Sequence, residues 1–298
     1  MARPHGGNVL RPPAVVHVDL DGAQTIYEHH GWPYAATDDR LFRTGLLGAL
    51  ELLRELQITA TLFVIARDLD VDERLELLRE AVRLGHEIGS HTMSHPRLTT
   101  LSGADRRREI EGSKDLLEAR LGVEVRGFRA PAFDTDREML HQVAEAGYAY
   151  DSSLFADRAT EVRLGVGRLA GGPNRLFPER DLMELALPGH RPLPVPFHPC
   201  YSLVLGSWYF RAGTALFRRR REPFVLLFHL TDFAEPLERS HARSARQRLY
   251  TLSHRSAATK IERCRRMVEL VRRHYDIVTT EALLSDRNVT VPAEEGTI

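Results

Sequence analysis

The stretch Ala14-Val15-Val16-His17-Val18-Asp19-Leu20-Asp21-Gly22 decides the fold. It reads as a buried β-strand that runs into a pair of carboxylates. By the two-residue period of a strand, Val16, Val18 and Leu20 share one face, and His17, Asp19 and Asp21 share the other. A strand that ends in two acids on one face is poised to deliver them to a common edge.

Working outward, strand and helix patterns alternate. Leucines at helical spacing over 44–56 (Leu46, Leu47, Leu50, Leu53, Leu56) predict an amphipathic helix. Thr59–Ala66 is rich in β-branched residues and predicts a strand. A helix over 72–84 closes at Gly85, and a short strand follows over 86–90. A helix over 103–121 ends at Gly122, a strand covers 125–129, a helix over 136–146 ends at Gly147, and a short strand spans 148–151. Residues 155–200 are irregular, with one strand at 182–186. A helix at 208–220, a strand at 224–230, a helix at 256–274 and a strand at 276–279 complete the pattern. Repeated strand–helix units mean a parallel sheet with right-handed crossovers. Seven or so units favour an α/β barrel over an open sheet. Residues 1–13 read as an N-terminal extension, 14–285 as one domain and 286–298 as a tail.

In such barrels, chemistry gathers at the C-terminal ends of the strands. The polar candidates obey this rule: Asp19 and Asp21 end the first strand, and His91 and His95 follow the third. Arg129, Asp151 and His229 end three later strands. The segment Gly89-Ser90-His91-Thr92-Met93-Ser94-His95-Pro96 places two imidazoles four residues apart, the spacing of one face of a helical turn. Two histidines leave a metal shell incomplete; one of the two carboxylates completes an Asp/His/His set with an open position. That set suits Zn²⁺, with Co²⁺, Fe²⁺ or Ni²⁺ as substitutes. The other carboxylate is placed to act as general base, with Arg129 holding it ionised. His229, the one polar residue of Leu-Leu-Phe-His-Leu, is placed to protonate a leaving group. A metal, a base and an acid around one mouth describe amide hydrolysis.

These residues resemble the polysaccharide deacetylases of the NodB-homology type, carbohydrate esterase family 4. His91-Thr92-Met93-Ser94-His95-Pro96 resembles the family's His-Ser/Thr-x-x-His-Pro motif, and Arg129-Ala130-Pro131 its Arg-x-Pro motif. Asp19 and Asp21 stand in the spaced Asp-x-Asp form of one branch. Tyr150-Asp151-Ser152-Ser153 and Leu227-Phe228-His229 resemble the fourth and fifth motifs. The resemblance covers residues 14–285 and implies a distorted (β/α)7 TIM-like barrel of the NodB type. It implies a divalent metal on Asp21, His91 and His95, and removal of an N-acetyl group from an amino sugar. Asp19 is then the base, His229 the acid, Arg129 and Asp151 their partners, and Pro131, Phe133 and His198 are assigned to the substrate groove. Three features depart from the family. The first motif is not Thr-Phe-Asp-Asp-Gly, the glycine usual after Arg-x-Pro is replaced near Phe133, and 197–222 resembles exopolysaccharide- and cell-wall-type deacetylases.

Blander readings stand beside these. Asp19 and Asp21 as strand-end caps leave two carboxylates after an apolar strand unexplained. Arg129 reads alternatively as a structural ion-pair partner, and Asp151 as a turn cap for Ser152 and Ser153. His17 reads as a satisfied core histidine. His29, His30 and His190 read as solvated loop residues. Residues 208–221 read as a barrel helix with a solvated basic end; the alternative is an interfacial helix meeting anionic lipid, which fits a polyprenyl-linked sugar.

The 298 residues carry 41 basic and 41 acidic side chains, so no overall field favours nucleic acid. Two cysteines, Cys200 and Cys264, make no disulfide framework. No stretch reaches the ~20 apolar residues of a membrane span, and the N-terminus lacks a signal-like apolar region, so a cytoplasmic location is expected, with peripheral membrane contact as the alternative. Two rival functions are a deformylase or other linear or cyclic amide hydrolase, and a non-catalytic carbohydrate-binding barrel.

Overall fold

The computed structural model describes residues 11–34, 39–177, 180–189, 197 and 199–286. The strands are β1 (Pro13–Asp19), β2 (Thr61–Val64), β3 (Glu87–Ser90), β4 (Gly127–Phe128), β5 (Tyr150–Asp151), β6 (Gly172–Arg175), β7 (Met183–Ala186), β8 (Phe224–His229) and β9 (Asp276–Ile277). They form one nine-stranded sheet in the order β6-β7-β5-β4-β3-β2-β1-β8. Every neighbouring pair is parallel except β6 with β7. β9 pairs with Pro13 and Ala14, ahead of where β2 begins.

The sheet curls into a nearly closed barrel. Its seam lies between β6 and the residues entering β8. Gly171 N–H donates to the Glu222 carboxylate at 3.0 Å, and a Cβ on Gly172 would meet Pro223 Cβ at 2.5 Å. Glycine, at φ +91° in Gly172, lets the two edges approach without a ladder.

The helices are α1 (Ala23–His29), α2 (Arg40–Glu55), α3 (Asp72–Arg83), α4 (Gly103–Leu121), α5 (Arg137–Glu145), α6 (Arg158–Leu164), α7 (Pro199–Leu205), α8 (Ser207–Arg220), α9 (Ala245–Tyr250), α10 (Ala257–Arg272) and α11 (Thr280–Ser285). Local chemistry sets their ends. Ser102, Asp136, Asp157 and Ser256 accept backbone N–H groups as N-caps. Gly85, Gly122 and Gly147 take positive φ after their helices, as their spacing predicts.

The two faces of the strands feed two cores. Ala14, Val16 and Val18 pack outward with the helices, while Val15, Phe63, Val225 and Leu227 fill the barrel interior. This is the two-sided burial expected of a parallel sheet. Helix α11 plugs the N-terminal mouth: Thr280 Oγ1 lies 3.1 Å from His17 Nε2 and 2.7 Å from Thr61 Oγ1, and Leu283 joins the interior core. The opposite mouth, where strands end, is left for the site.

The structure corrects several expectations. The irregular stretch 155–200 contains α6, β6 and the start of α7. Helix α2 begins at Arg40 rather than 44, because Asp39 caps it by accepting from Phe42 N. Leu47, assigned to the apolar face of that helix, is exposed. Helix α8, by contrast, buries Phe210 and Phe217, as the barrel-helix reading of 208–221 expects. Among the described residues, no helix is long and apolar enough to cross a membrane.

Candidate active site

Register brings the rim residues together. Asp19 pairs with His229 of β8 and Phe63 of β2, Ser90 with Phe128, and Phe128 with Asp151, which in turn pairs with Glu184 of β7. Each strand therefore ends at one height, and the next residue or two of each chain enters the mouth.

Asp21 lies just beyond β1. Its Oδ1 is 3.0 Å from His95 Nε2 and 3.6 Å from His91 Nε2. The three side chains are nearly buried, at 13%, 8% and 3% exposure for Asp21, His95 and His91. Yet Asp21 Oδ1 makes no well-formed hydrogen bond, and neither does His95 Nδ1. One atom from each residue falls within 4.8 Å of the others. A buried oxygen left unbonded between two imidazoles is the arrangement of a cation site. Burial would raise the Asp21 carboxyl, but His95, His91 and His229 outweigh it and hold the group well below the ordinary range. Burial lowers His91, against the pull of Asp19 and Asp21. Asp21 is thus held as a carboxylate and His91 as a neutral imidazole, the forms that bind metal.

The two histidines do not share a helix, contrary to the expectation from their spacing. They lie on a loop in which Thr92 and His95 both have positive φ, 70° and 65°. Hydrogen bonds hold this costly backbone in place. Thr92 Oγ1 accepts His95 N–H at 2.9 Å, Glu109 accepts Ser94 N–H and Oγ–H at 2.8 and 2.6 Å, and Ala66 and Arg67 donate to the carbonyls of Thr92 and Met93. His91 Nδ1 meets the Arg129 carbonyl at 2.8 Å, so its Nε2 faces Asp21.

Gly22 explains the end of the Asp-x-Asp-Gly sequence. A Cβ there would fall 2.3 Å from Asp39 Oδ2. Asp39 uses that space to accept from Ala23 N and to pair with Arg74 of α3, locking the turn behind Asp21.

Asp19 is buried at 1% exposure. Its Oδ1 accepts from Arg129 Nη1 at 2.8 Å, and its Oδ2 faces His229 Nε2 at 3.8 Å. Arg129 is wholly buried. Its remaining donors reach the Ser152 carbonyl, Ser152 Oγ and His17 Nδ1, and its guanidinium stacks on Phe63 at 4.1 Å. His17 is held below its ordinary range by burial and by Arg129, so it serves as a neutral acceptor. His17 is therefore the satisfied core histidine expected, with an added part in fixing Arg129. Ser152, not singled out in the sequence, is the other half of that cradle.

Asp151 is a correction. It does not orient His229. Both its oxygens meet Ser153, at 2.7 Å to Oγ and 3.1 Å to N, and its cross-strand neighbour is Glu184. The turn-cap reading stands. Burial raises both carboxyls, and the charge of Asp151 raises Glu184 further. Asp232 caps the turn that follows His229, its Oδ2 accepting the His229 backbone N–H at 2.9 Å. A second correction concerns the groove. Phe133 lines the cavity at the mouth, as do Ala130 and Ala132, but Pro131 is buried away from it. His198 and His190 lie outside the described residues. His29 and His30 line the same cavity rather than standing in solvent.

Residues 35–150 match the family model for polysaccharide deacetylase. That segment includes His91, His95 and Arg129 but not Asp19, Asp21 or His229. A chitooligosaccharide deacetylase of Sinorhizobium fredii is 35% identical over 34% of this chain and 46% of the relative. Chitin deacetylase 1 of Cryptococcus neoformans is 34% identical over 33% of this chain and 20% of the relative. The chain thus spans less than half the length of either. In structure, a Mycobacterium smegmatis protein assigned to the polysaccharide deacetylases superimposes with TM-score 0.62 at 18% identity, covering 98% of this chain and 96% of that one. The likeness extends the shared fold over the whole barrel.

Proposed function

We propose that this chain, whose residues 35–150 match the polysaccharide deacetylase family model, is a member of that family and a metal-dependent hydrolase that removes N-acetyl groups from an amino-sugar glycan or glycoconjugate. One observation carries the reading. Asp21 Oδ1 and the Nε2 atoms of His91 and His95 converge within 4.8 Å, while Asp19 and His229 face each other across 3.8 Å at the same mouth. A binding barrel has no use for a base and an acid flanking a ligand set. Curated relatives named for chitooligosaccharide and chitin support an N-acetylglucosamine-type substrate, and a polyprenyl-linked N-acetyl sugar belongs to the same class.

Asp21, His91 and His95 would hold the cation, with Zn²⁺ best suited to two nitrogens and one oxygen and Co²⁺, Fe²⁺ or Ni²⁺ able to replace it. When bound, it supplies Lewis acidity at the acetyl carbonyl and at the attacking water. Arg129 occupies Asp19 Oδ1, which leaves Oδ2 turned to the mouth as the atom that takes a proton from water. His229 Nε2 delivers a proton to the departing nitrogen. The carbon–nitrogen bond breaks, a carbon–oxygen bond forms, and acetate and the amine leave. Arg129 is a positioning residue: it touches Asp19 and lies too deep to meet substrate.

Metal-stripped and zinc-reloaded protein, given chito-oligosaccharides and polyprenyl-linked N-acetyl sugars, should release acetate only when reloaded. Release of formate from N-formyl substrates alone would move the reading to a deformylase. Saturable sugar binding with no release of either acid would make it a binding barrel.

A further inference from the structure

The cavity over the candidate site measures about 480 Å³, and the described residues of its outer walls are mostly hydrocarbon. One wall is helix α7, which presents Tyr201, Val204 and Leu205; the facing wall is the end of α9, with Leu249 and Tyr250. All five are exposed, at 41%, 39%, 51%, 46% and 48%. They make up half of the large exposed hydrophobic side chains among the described residues. Scattered exposure of such residues is ordinary; concentration at one mouth marks a binding surface. Helix α9 buries none of its side chains; Tyr250 rests against His30 and Trp32, and Leu249 is exposed.

The chemistry of these walls is selective. A sugar ring stacks on flat aromatic faces and needs donors and acceptors for its hydroxyls. Val204, Leu205 and Leu249 offer neither a π-face nor a polar atom. Apart from the ligand set, Asp19 and His229, polar lining among the described residues comes from Thr231, Cys200, His29, His30 and the hydroxyls of Tyr201 and Tyr250. A substrate whose amide reaches Asp19 must leave its flanking part against this apolar surface.

We propose that the substrate is an amphiphile, with a hydrocarbon group placed beside the scissile amide and seated between α7 and α9. This rests on the hydrolase reading above. The reaction is R–CO–NH–R′ + H₂O → R–COO⁻ + R′–NH₃⁺, with the hydrocarbon carried either by the acyl group or by the amine portion. Both sources share the same apolar chemistry.

Two substrate series separate the sources. One lengthens the N-acyl group of methyl glucosaminide from acetyl to octanoyl; the other keeps N-acetyl and lengthens the aglycone from methyl to octyl. Each methylene that enters the cavity should raise kcat/KM by about fourfold in one series, until the walls are covered. Turnover of the methyl compound with a flat or falling profile in both series overturns the proposal. Val204→Asn with Leu249→Asn should flatten the rising series. A second measurement stands apart from turnover: calorimetric binding of octyl glucoside, below its micelle concentration, to the Asp19→Asn protein. Saturable binding that the two asparagine substitutions abolish is expected, even if no amide is cleaved and the hydrolase reading fails. Absence of saturable binding overturns the inference.

Discussion

At the scale of single residues, the site rests on one buried cation. Arg129 neutralises Asp19 while Asp151 and Glu184 stand as buried cross-strand neighbours nearby. Three carboxyls near one guanidinium are costly to ionise together in a dry interior, and burial with the neighbouring Asp151 favours keeping a hydrogen on Glu184. Glu184→Gln supplies that hydrogen permanently and keeps the shape. A carboxyl raised in the folded state stabilises fully below its unfolded pKa and loses that contribution as pH climbs toward the folded value. Wild-type stability should therefore fall relative to Glu184→Gln above about pH 4.5, by up to about 1.4 kcal/mol per pH unit. Urea unfolding from pH 4 to 8 checks this; parallel curves would show that Glu184 carries no raised pKa. Asp19, Asp21, His91, His95, Arg129 and His229 are legible in the sequence because each follows an apolar strand. Glu184 is not, because one acid in Met183–Ala186 looks like any solvent-facing alternate residue until register sets it beside Asp151.

At the scale of elements, helix α2 controls the acid side of the mouth. Gly45 lies against the turn that follows His229: a Cβ there would meet the Leu230 carbonyl at 2.8 Å and Leu230 Cβ at 3.0 Å. Gly45→Ala gains about 1 kcal/mol of helix propensity, but the clash is with backbone and cannot rotate away. Net destabilisation of about 1–3 kcal/mol is expected, with a fall in kcat larger than any change in KM as His229 shifts. Thermal unfolding and steady-state kinetics read both; a variant as stable and active as wild type would show that this turn tolerates displacement. The long helices and hydrophobic strands are legible from period and caps. The elements that escape are short: α7 and α9 span barely two turns, too few for a period to register, and β6 (Gly-Pro-Asn-Arg) has the composition of a turn. The His91–His95 spacing misleads about local structure, because a loop with two positive-φ residues brings the imidazoles together as a helix would.

At the scale of the molecule, the barrel is assembled so that two segments distant in sequence meet at the candidate cation site. Binding there ties β1 to the loop after β3, and a ligand taken up only by the folded state stabilises it by mass action. Free zinc at about 100 times its Kd should add about 2.7 kcal/mol and raise Tm by roughly 5 °C, an increment that a chelator removes and that His91→Ala lacks. Calorimetry showing the same Tm with and without zinc would place the cation elsewhere or nowhere.

The most direct test measures metal content and acetate release on the same samples of wild type, Asp19→Asn and His91→Ala. The predicted result separates the two functions of the site. Asp19→Asn keeps one zinc per chain and loses about 10²–10⁴-fold in kcat, while His91→Ala loses both the metal and the activity. Undiminished acetate release by metal-free His91→Ala would contradict the account.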